Sequence, residues 1–177
     1  MSMEIKPIAY IENDFTEKFG IPRQSGRAPS VLSKIIFTEE YSDPNFLRGI
    51  EEFSHLWLIF DFSKAHKDQI SPLIRPPRLG VNKKVGVFAS RSPFRPNNLG
   101  LSSVKLVKVE KGVLTVSGAD LMSGTPIYDI KPYIPFTDCH SDAISSYADQ
   151  NKDYKLTVEI PNELRKEIPE DKLNPII

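Results

Sequence analysis

The segment Leu101–Ala119, LSSVKLVKVEKGVLTVSGA, carries the clearest structural signal in the chain. Two runs rich in β-branched residues, Leu101–Glu110 and Val113–Ala119, flank the dipeptide Lys111-Gly112. A glycine at a short turn between two such runs is typical of a β-hairpin. The segment therefore predicts an antiparallel pair of strands, and the fold prediction works outward from that pair.

Short apolar runs of the same kind recur along the chain, separated by Pro, Gly and Asn. They predict further strands near Ile5–Ile11, Val31–Phe37, His55–Phe62, Val85–Ala89, Ile127–Tyr133 and Tyr154–Ile160. Long helices between successive strands are missing from the pattern, which argues against a doubly wound α/β fold and favours a closed or sandwiched sheet. We expect a mainly β protein, a mixed or antiparallel β-barrel of non-Rossmann type with short helices.

Two segments predict those short helices. The first is YSDPNFLRGI, capped by Ser42 or Asp43 and closed by Gly49. The second is Asn162–Ile168, and the proline that follows it interrupts the helix. The chain then stops on two isoleucines, and an apolar end of this kind indicates either a truncated chain or a partner surface.

Composition limits the classes of function. The 177 residues suit one domain with a real core. Lys plus Arg and Asp plus Glu number 23 each, so any nucleic-acid binding must come from local patches. No apolar run reaches membrane-spanning length, the N-terminus lacks a secretion signal, and the single cysteine fits a reducing compartment. We therefore expect a cytoplasmic protein without a membrane span.

The common catalytic signatures are absent from the sequence. It has no dinucleotide-binding glycine motif, no Walker loop and no nucleophile elbow. Three histidines and one cysteine at unrelated spacings predict no metal site. Three polar loops remain as candidates for function: Ile21–Arg27, Arg91–Gly100 and Gly118–Phe136. Each loop, taken alone, is more typical of a rigid connector between strands than of a binding site.

The second and third loops contain the most specific polar groups. In the second, two prolines fix φ, the adjacent asparagines tolerate turn geometry, and Gly100 is expected at positive φ. In the third, Asp120 and Ser123 are available as hydrogen-bond acceptors. Its DIKPYIP segment places three polar residues on one face of a strand, Asp129, Lys131 and Tyr133. Such a stripe usually faces solvent, but it also suits the lining of a cleft.

Several segments resemble the motif blocks of one family, in the family's order. They are EKFGIPRQSG, RGIEEFSHLWLIFDF, RPPRLGVNKKVGVFASRS, RSPFRPNNLGLSSVKL and GADLMSGTPIYDIKPYIPF, within the range Ile5–Ile160. The family is the TsaA-like family, which has a characterised tRNA methyltransferase among its members. The resemblance implies a β-barrel enzyme that uses S-adenosylmethionine and methylates N6 of threonylcarbamoyl-adenosine beside the anticodon of a threonine tRNA. It also implies a homodimer with the cofactor near the subunit interface.

The resemblance further implies a cofactor-binding set, drawn from the three loops and from the start of one predicted strand. The set is Pro22, Arg23, Gln24, His55, Leu56, Arg91, Leu101, Asp120, Leu121, Met122 and Ser123. Two positions depart from the usual family pattern: Asn98 stands where the family has proline, and Ser123 where members commonly have aspartate. The barrel domain is expected over residues 1–160, with the start of a C-terminal extension over 161–177.

Physical chemistry suggests roles for part of this set. Arg23 or Arg91 suits the carboxylate of S-adenosylmethionine, because a guanidinium binds carboxylates through two parallel hydrogen bonds. Leu56, Leu101 and Met122 suit the faces of the adenine ring, since nucleotide pockets are mainly apolar.

The substrate nitrogen lies between a purine and a carbamoyl carbonyl, so a modest base suffices to remove its proton. Asp129, Lys131 and Tyr133 are the candidates by position. Four basic residues are expected to bind tRNA phosphates: Arg75, Arg78, Lys83 and Lys84. The alternative function is a barrel that binds S-adenosylmethionine and acts as an adaptor, or on another small or nucleic-acid substrate.

Overall fold

Six of the eight strands in this computed structural model close into a barrel. The strands are β1 (Ala9–Glu12), β2 (Leu32–Phe37), β3 (His55–Asp61), β4 (Leu73–Ile74), β5 (Val85–Gly86), β6 (Leu99–Glu110), β7 (Val113–Ser117) and β8 (Pro126–Pro132). The barrel order is β1-β2-β7-β6-β3-β8, every pairing in it is antiparallel, and β4 and β5 form a separate hairpin-like sheet. The structure describes residues 4–76, 83–151 and 159–173. The predicted mainly β barrel is confirmed.

Alternation along each strand places the core inside the barrel. In β3, Leu56, Leu58 and Phe60 are buried in the interior, whereas Trp57 and Ile59 are half-buried on the outer face. Side chains of successive strand residues point to opposite faces, so the apolar set of one strand meets that of its neighbours. The interior is filled mainly by aliphatic side chains from all six strands.

The hairpin predicted around Lys111-Gly112 is confirmed, and it is formed by β6 and β7. Glu110 pairs with Val113 across the turn, and Gly112 adopts a φ of 70°. That left-handed conformation is the reason for a glycine at this position. A register shift between Leu106 and Lys108 interrupts the ladder further along the same strand pair.

The helices are all short. The 3₁₀ helices are Glu39–Tyr41, Pro44–Leu47, Ile50–Glu52, Val87–Ala89, Pro96–Asn98 and Ser146–Asn151, and the α-helices are α1 (Pro135–Asp138), α2 (Asn162–Arg165) and α3 (Glu170–Leu173). The expected cap at Asp43 is present, because its side chain accepts a hydrogen bond from the Asn45 N–H at 2.9 Å. The described helices include none that is long and apolar enough to cross a bilayer.

Three local expectations differ from the structure or lie beyond it. The strand predicted over Val85–Ala89 ends at Gly86, since the next three residues form a 3₁₀ helix. The helix predicted over Asn162–Ile168 ends at Arg165. Most of the predicted strand Tyr154–Ile160 falls on residues 152–158, which lie outside the described residues, and the domain boundary at residue 160 stays a prediction.

The expectation of a positive φ at Gly100 is wrong. Gly100 lies within β6, opposite Phe60, and the left-handed conformation is taken by Asn97 and Asn98 at φ 64° and 48°. A Cβ on Gly100 would have three ring atoms of Phe60 within 2.8 Å. The glycine is therefore required by the close approach of a core aromatic ring, and not by backbone conformation.

Candidate functional site

The first and third loops meet at a pair of glycines. The Gly26 N–H donates to the Gly118 carbonyl at 2.8 Å, and both residues have positive φ, 76° and 77°. A Cβ on Gly118 would lie 3.1 Å from the Gly26 Cα, so the two backbones approach closely. The contact fixes the position of the first loop relative to the segment that follows β7.

Asp120 is the point at which all three loops come together. Its carboxylate accepts from the Ser102 hydroxyl in β6 and from the backbone N–H of Ser25 in the first loop, and the positive charge of Arg91 in the second loop acts on it without a direct ion pair. Burial raises the pKa of Asp120 and is the largest influence, although these three neighbours favour the charged form and oppose it. Its Oδ1 atom is buried and has no hydrogen-bond partner among the described residues. Such an oxygen is suited to accept a hydrogen bond from a ligand.

The third loop is held in place by a side chain that sequence analysis missed. The Asn13 amide donates to the Leu121 carbonyl at 3.0 Å and to the Ser33 hydroxyl at 3.1 Å, and its Oδ1 accepts from the Phe15 N–H at 2.9 Å. The Asn13 backbone N–H also donates to the Ser123 Oγ at 3.3 Å. Asn13 therefore ties the end of β1 to the loop that carries Asp120.

The same contacts change the role expected for Ser123. Its hydroxyl accepts from Asn13 and its N–H donates to the Phe15 carbonyl at 2.7 Å, so both groups are used within the protein. The next N–H, that of Gly124, donates to the Ile11 carbonyl at 2.7 Å. The structure thus gives Ser123 a part in holding the loop, where the sequence suggested an acceptor for ligand groups.

The second loop is anchored by Asn98, whose side chain is buried. The Asn98 side-chain amide donates to the Pro93 carbonyl at 2.8 Å and to the Ala65 carbonyl at 3.4 Å, and the Asn98 backbone carbonyl accepts from the Phe62 N–H at 2.8 Å. At a φ of 48° the position excludes proline, because the proline ring holds φ near −65°. Asn98 therefore takes a left-handed conformation in this chain, and its side-chain amide is paired.

The remaining loop residues of the predicted cofactor set lie at or near the surface. Pro22 and Met122 are half-buried, and Arg23 and Gln24 are exposed. Leu101 is 56% exposed on the outer face of the barrel, next to Ser102. These side chains are accessible to a ligand.

Two members of the set are not accessible. Leu56 is 0% exposed and Leu121 is 2% exposed, because both side chains point into the barrel core. The Leu56 side chain is therefore not accessible to an adenine ring in this structure, and only its backbone remains available. Leu101 and Met122 are the apolar side chains left for that contact.

His55 is separated within one chain from the loop residues of the predicted set. The register pairs His55 with Lys105 and Ile59 with Leu101, so four residues of strand, about 13 Å, lie between His55 and the row of Leu101. His55 is exposed, and its ring lies 6.3 Å from that of Tyr133. The structure therefore does not bring His55 to Arg91 and Asp120.

Two of the candidate bases, Asp129 and Lys131, lie on the outer face of β8, and the third, Tyr133, directly follows the strand. Asp129 and Lys131 form an ion pair at 2.9 Å. Desolvation is the main cause that raises the pKa of Tyr133, so its phenol stays protonated at neutral pH and cannot accept a proton. Ile59 pairs with both Leu101 and Asp129, which places Asp129 two strand spacings, about 10 Å, from Leu101.

The predicted tRNA-binding residues flank the small sheet. Arg75 follows β4, Lys83 and Lys84 precede β5, and all three are exposed. Arg78 lies outside the described residues. Within the described ranges no group of three His, Cys, Asp or Glu side chains is arranged to hold a metal ion.

Asn13 and Ser102 carry no signal that could have identified them. A polar residue directly after a strand is an ordinary turn residue, and the partner carbonyl of Asn13 lies 108 positions away. Ser102 is one of two serines in a strand-like run, and only the barrel register turns it towards Asp120.

Comparison with known proteins identifies relatives over most of the chain. Residues 10–139 match the family model described as tRNA-methyltransferase O N-terminal domain. The chain is 47% identical to a putative S-adenosylmethionine-dependent methyltransferase, RcsF, of Pseudomonas aeruginosa, over 84% of this chain and 62% of that protein. It is 39% identical to the tRNA (adenine(37)-N6)-methyltransferase of Escherichia coli K12, over 94% of this chain and 73% of that protein.

A solved structure agrees with the fold. The crystal structure of TrmO from Pseudomonas aeruginosa superimposes with a TM-score of 0.71 at 40% identity, over 84% of this chain and 64% of that one. The chain spans 62% and 64% of the length of two Pseudomonas aeruginosa relatives.

Proposed function

This chain belongs to the tRNA-methyltransferase O N-terminal domain family, and we propose that it transfers a methyl group from S-adenosylmethionine to N6 of adenine in tRNA. The proposed substrate is threonylcarbamoyl-adenosine beside the anticodon of a threonine tRNA. Family membership agrees with the resemblance read from the loop motifs. The observation that carries the proposal is the convergence of Ser25, Arg91 and Ser102 around the half-buried Asp120.

The residues at this point fit the donor groups of S-adenosylmethionine. Asp120 has a buried oxygen without a partner, which suits an N–H or O–H donor such as the amino group or a ribose hydroxyl. Arg91 is exposed and suits the carboxylate. Leu101 and Met122 offer accessible apolar surface for the adenine.

When bound, S-adenosylmethionine supplies an electrophilic methyl group on a positively charged sulfur. The chain contributes mainly by positioning, because in-line transfer requires the substrate nitrogen, the methyl carbon and the sulfur to be aligned. The loops that present Arg91 and Asp120 are held by Asn98 and Asn13, so the site is largely formed before a ligand arrives.

We propose Asp129 as the acceptor of the N6 proton. The Asp129 carboxylate would accept the proton that N6 loses when it is methylated by bound S-adenosylmethionine, and the cofactor would leave as the neutral thioether S-adenosylhomocysteine. Asp129 is the only carboxylate among the candidates. Its Oδ1 accepts from the Ile130 N–H and its Oδ2 pairs with Lys131, and each oxygen keeps a second lone pair, whereas the Tyr133 phenol remains protonated. Asp129→Asn is expected to lower kcat at least about 100-fold with an unchanged dissociation constant for S-adenosylmethionine. A variant with parental kcat would exclude this assignment.

The activity itself is tested by methyl transfer from labelled S-adenosylmethionine to tRNA. Threonine tRNA that carries threonylcarbamoyl-adenosine should be labelled, and the same tRNA without that group should not. Asp120→Ala should weaken binding of S-adenosylmethionine in calorimetry, and Asp142→Ala, an exposed aspartate outside the three loops, is the matched control. Binding without transfer to any tRNA would refute the enzymatic proposal and favour an adaptor.

We further propose a homodimer in which His55 of one protomer completes the site of the other. Support comes from the separation of about 13 Å between His55 and Leu101 within one chain and from the exposed apolar Leu101. Two surface cavities, of about 390 and 600 Å³, are lined by residues 51–54 with 106–109 and by residues 6, 7 and 38–40, and neither includes a predicted cofactor residue. The predicted cofactor residues therefore do not line either cavity, and an open cofactor site in a single chain is expected if a partner protomer covers it.

Mixing inactive variants tests the shared site. His55→Ala and Asp120→Ala should each be inactive, and equal mixtures should regain activity at about a quarter of the sites, because a heterodimer restores one intact site. Activity that stays absent on mixing, with a dimer present by light scattering, would contradict the shared site. A tRNA substrate also implies a cytoplasmic location, with the single exposed thiol of Cys139 kept reduced.

A further inference from the structure

Three lysines that are not among the residues predicted to bind tRNA lie in two segments joined by a hydrogen bond, the segment of Lys18 and the segment of Lys64 and Lys67. The Lys18 Nζ donates to the Lys64 carbonyl at 2.7 Å, and the Lys67 Nζ lies 4.2 Å from the centroid of the Phe94 ring. All four side chains are exposed. We name Lys18, Lys64, Lys67 and Phe94 the lysine patch.

The lysine patch is connected to the candidate site through the second loop. Asn98 donates to the carbonyls of Ala65 and Pro93, so the segment with Lys64 and Lys67 is joined to the loop with Phe94. The same loop begins at Arg91, whose guanidinium lies near Asp120. A polyanion on the lysine patch would thus run towards the cofactor residues along one short loop.

The local charge around the patch differs from that of the chain. The described segments 17–18, 64–68 and 91–95 contain five cationic side chains, Lys18, Lys64, Lys67, Arg91 and Arg95, against two carboxylates, Glu17 and Asp68. His66 is paired with the nearly buried Asp61, just outside these segments, at 2.7 Å. Arg91 faces the Asp120 carboxylate, so without these two groups the segments keep four cations against two carboxylates, in a chain whose formal net charge is zero.

Two of the three ammonium groups are held by specific contacts. Lys18 is fixed by the Lys64 carbonyl, and Lys67 is restrained over the Phe94 ring. Restraint lowers the entropy that a lysine loses when it binds a phosphate. Phosphate groups spaced along a nucleic-acid backbone are the ligand that several fixed ammonium groups fit best.

We propose that the lysine patch binds backbone phosphates of the tRNA anticodon arm and aligns the target adenine with the Asp120 site. This inference rests on the proposed function, because the partner is the tRNA that the chain would methylate. It adds three cations that differ from the four basic residues predicted around β4 and β5. RNA held there is anchored next to the loop that carries Arg91.

The test is direct binding of a stem–loop RNA with the sequence of the threonine anticodon arm, unmodified and without cofactor. The variant Lys18→Gln/Lys64→Gln/Lys67→Gln should bind at least about 10-fold more weakly near 50 mM salt, and its slope of log K against log salt should be smaller by about 2. The parental affinity and slope in this variant would overturn the proposal.

A matched control removes three lysines elsewhere. Lys34 and Lys108 both pair with Thr115 on the β2-β7-β6 side of the barrel, and Lys111 follows on the β6–β7 turn. The variant Lys34→Gln/Lys108→Gln/Lys111→Gln should keep the parental affinity within about 2-fold. An equal loss in both triple variants would show a bulk charge effect and would also overturn the proposal.

Phe94→Leu removes the ring that restrains the Lys67 ammonium group and leaves the charge of Lys67 unchanged. The variant keeps every cation, so the salt slope should stay parental while affinity falls a few-fold. Calorimetry with S-adenosylmethionine and methyl transfer are measured on the same proteins. If the parental protein transfers no methyl group, the proposed function is refuted, and the comparison of RNA binding is still valid. If methyl transfer is intact and the triple variant binds RNA as the parental protein does, only the role of the lysine patch is refuted.

Discussion

Gly100→Ala is predicted to destabilise the barrel strongly, although it adds one methyl group. The new Cβ would have three ring atoms of Phe60 within 2.8 Å, where ordinary carbon contacts lie at 3.5–4.0 Å. Phe60 is 3% exposed and its ring packs edge-on against Phe62 at 5.1 Å, so it has little room to move. Overpacking of this kind costs about 3 kcal/mol, the upper part of the usual range.

The assay is urea denaturation, with thermal unfolding as a second measure. A loss of about 3 kcal/mol corresponds to a fall in Tm of roughly 6–12 °C for a chain of this size. Gly86→Ala is the matched control, because Gly86 lies in β5 at a φ of −59° with no atom within 4 Å of an added Cβ. That substitution should be neutral or slightly stabilising.

A compensating change makes the reasoning refutable. Phe60→Leu creates space at the same contact, so Gly100→Ala/Phe60→Leu should lose at least about 1 kcal/mol less than the sum of the two single variants. Additive losses, or a Gly100→Ala variant with parental stability, would show that the close approach to Phe60 is not the reason for the glycine.

Three further predictions concern polar groups. Asp120→Asn should stabilise the ligand-free protein at neutral pH. Because the pKa of Asp120 is raised on folding, the stability of the parental protein falls as the pH rises from about 4 through the folded-state pKa. Urea denaturation across this pH range should show that fall in the parental protein and not in the variant. Asn13→Ala removes three side-chain hydrogen bonds, among them the one to Leu121, and should cost about 3 kcal/mol while weakening S-adenosylmethionine binding in calorimetry; unchanged binding would leave Asn13 a purely structural role. The Asp138 carboxylate accepts hydrogen bonds from the Ile134 N–H and from the Trp57 indole N–H, and both bonds lower its pKa. The hydrogen bond to Trp57 should therefore hold above about pH 4 and be lost as the pH falls through the lowered pKa, which changes the fluorescence of the single tryptophan. Asp138→Asn should show at neutral pH the tryptophan fluorescence that the parental protein shows in acid.

The fold was predictable because its signals are local. Alternating apolar residues and a glycine turn are patterns that span about ten residues each, and long helical patterns are absent. These patterns predict seven of the eight described strands near their observed positions. Strand bounds shifted where the backbone changed conformation without a change of composition, as after Gly86. The reason for glycine at position 100 could not be predicted, because the ring that excludes a side chain there belongs to Phe60, 40 residues earlier in the sequence.

The site was predictable only in part, for the same reason. Motif resemblance singled out Arg91 and Asp120, and the structure brings them together. It could not tell that Leu56 points into the core or that Ser123 is held by Asn13, since both facts depend on barrel register and on a contact between distant segments. Periodicity gives the face of a strand, but only closure of the barrel decides which face is inside.

Closure of the barrel also explains how the loops remain in place without regular structure of their own. Each loop is tied to another loop or to a residue next to a barrel strand by a backbone or amide hydrogen bond: Gly26 to Gly118, Phe62 after β3 to Asn98, and Asn13 after β1 to Leu121. Because the six strands are fixed by one register, a shift in any strand would move the loops relative to one another. It follows that Gly100→Ala, which acts inside the barrel and touches no predicted ligand-binding side chain, should also weaken S-adenosylmethionine binding, and Gly86→Ala should not.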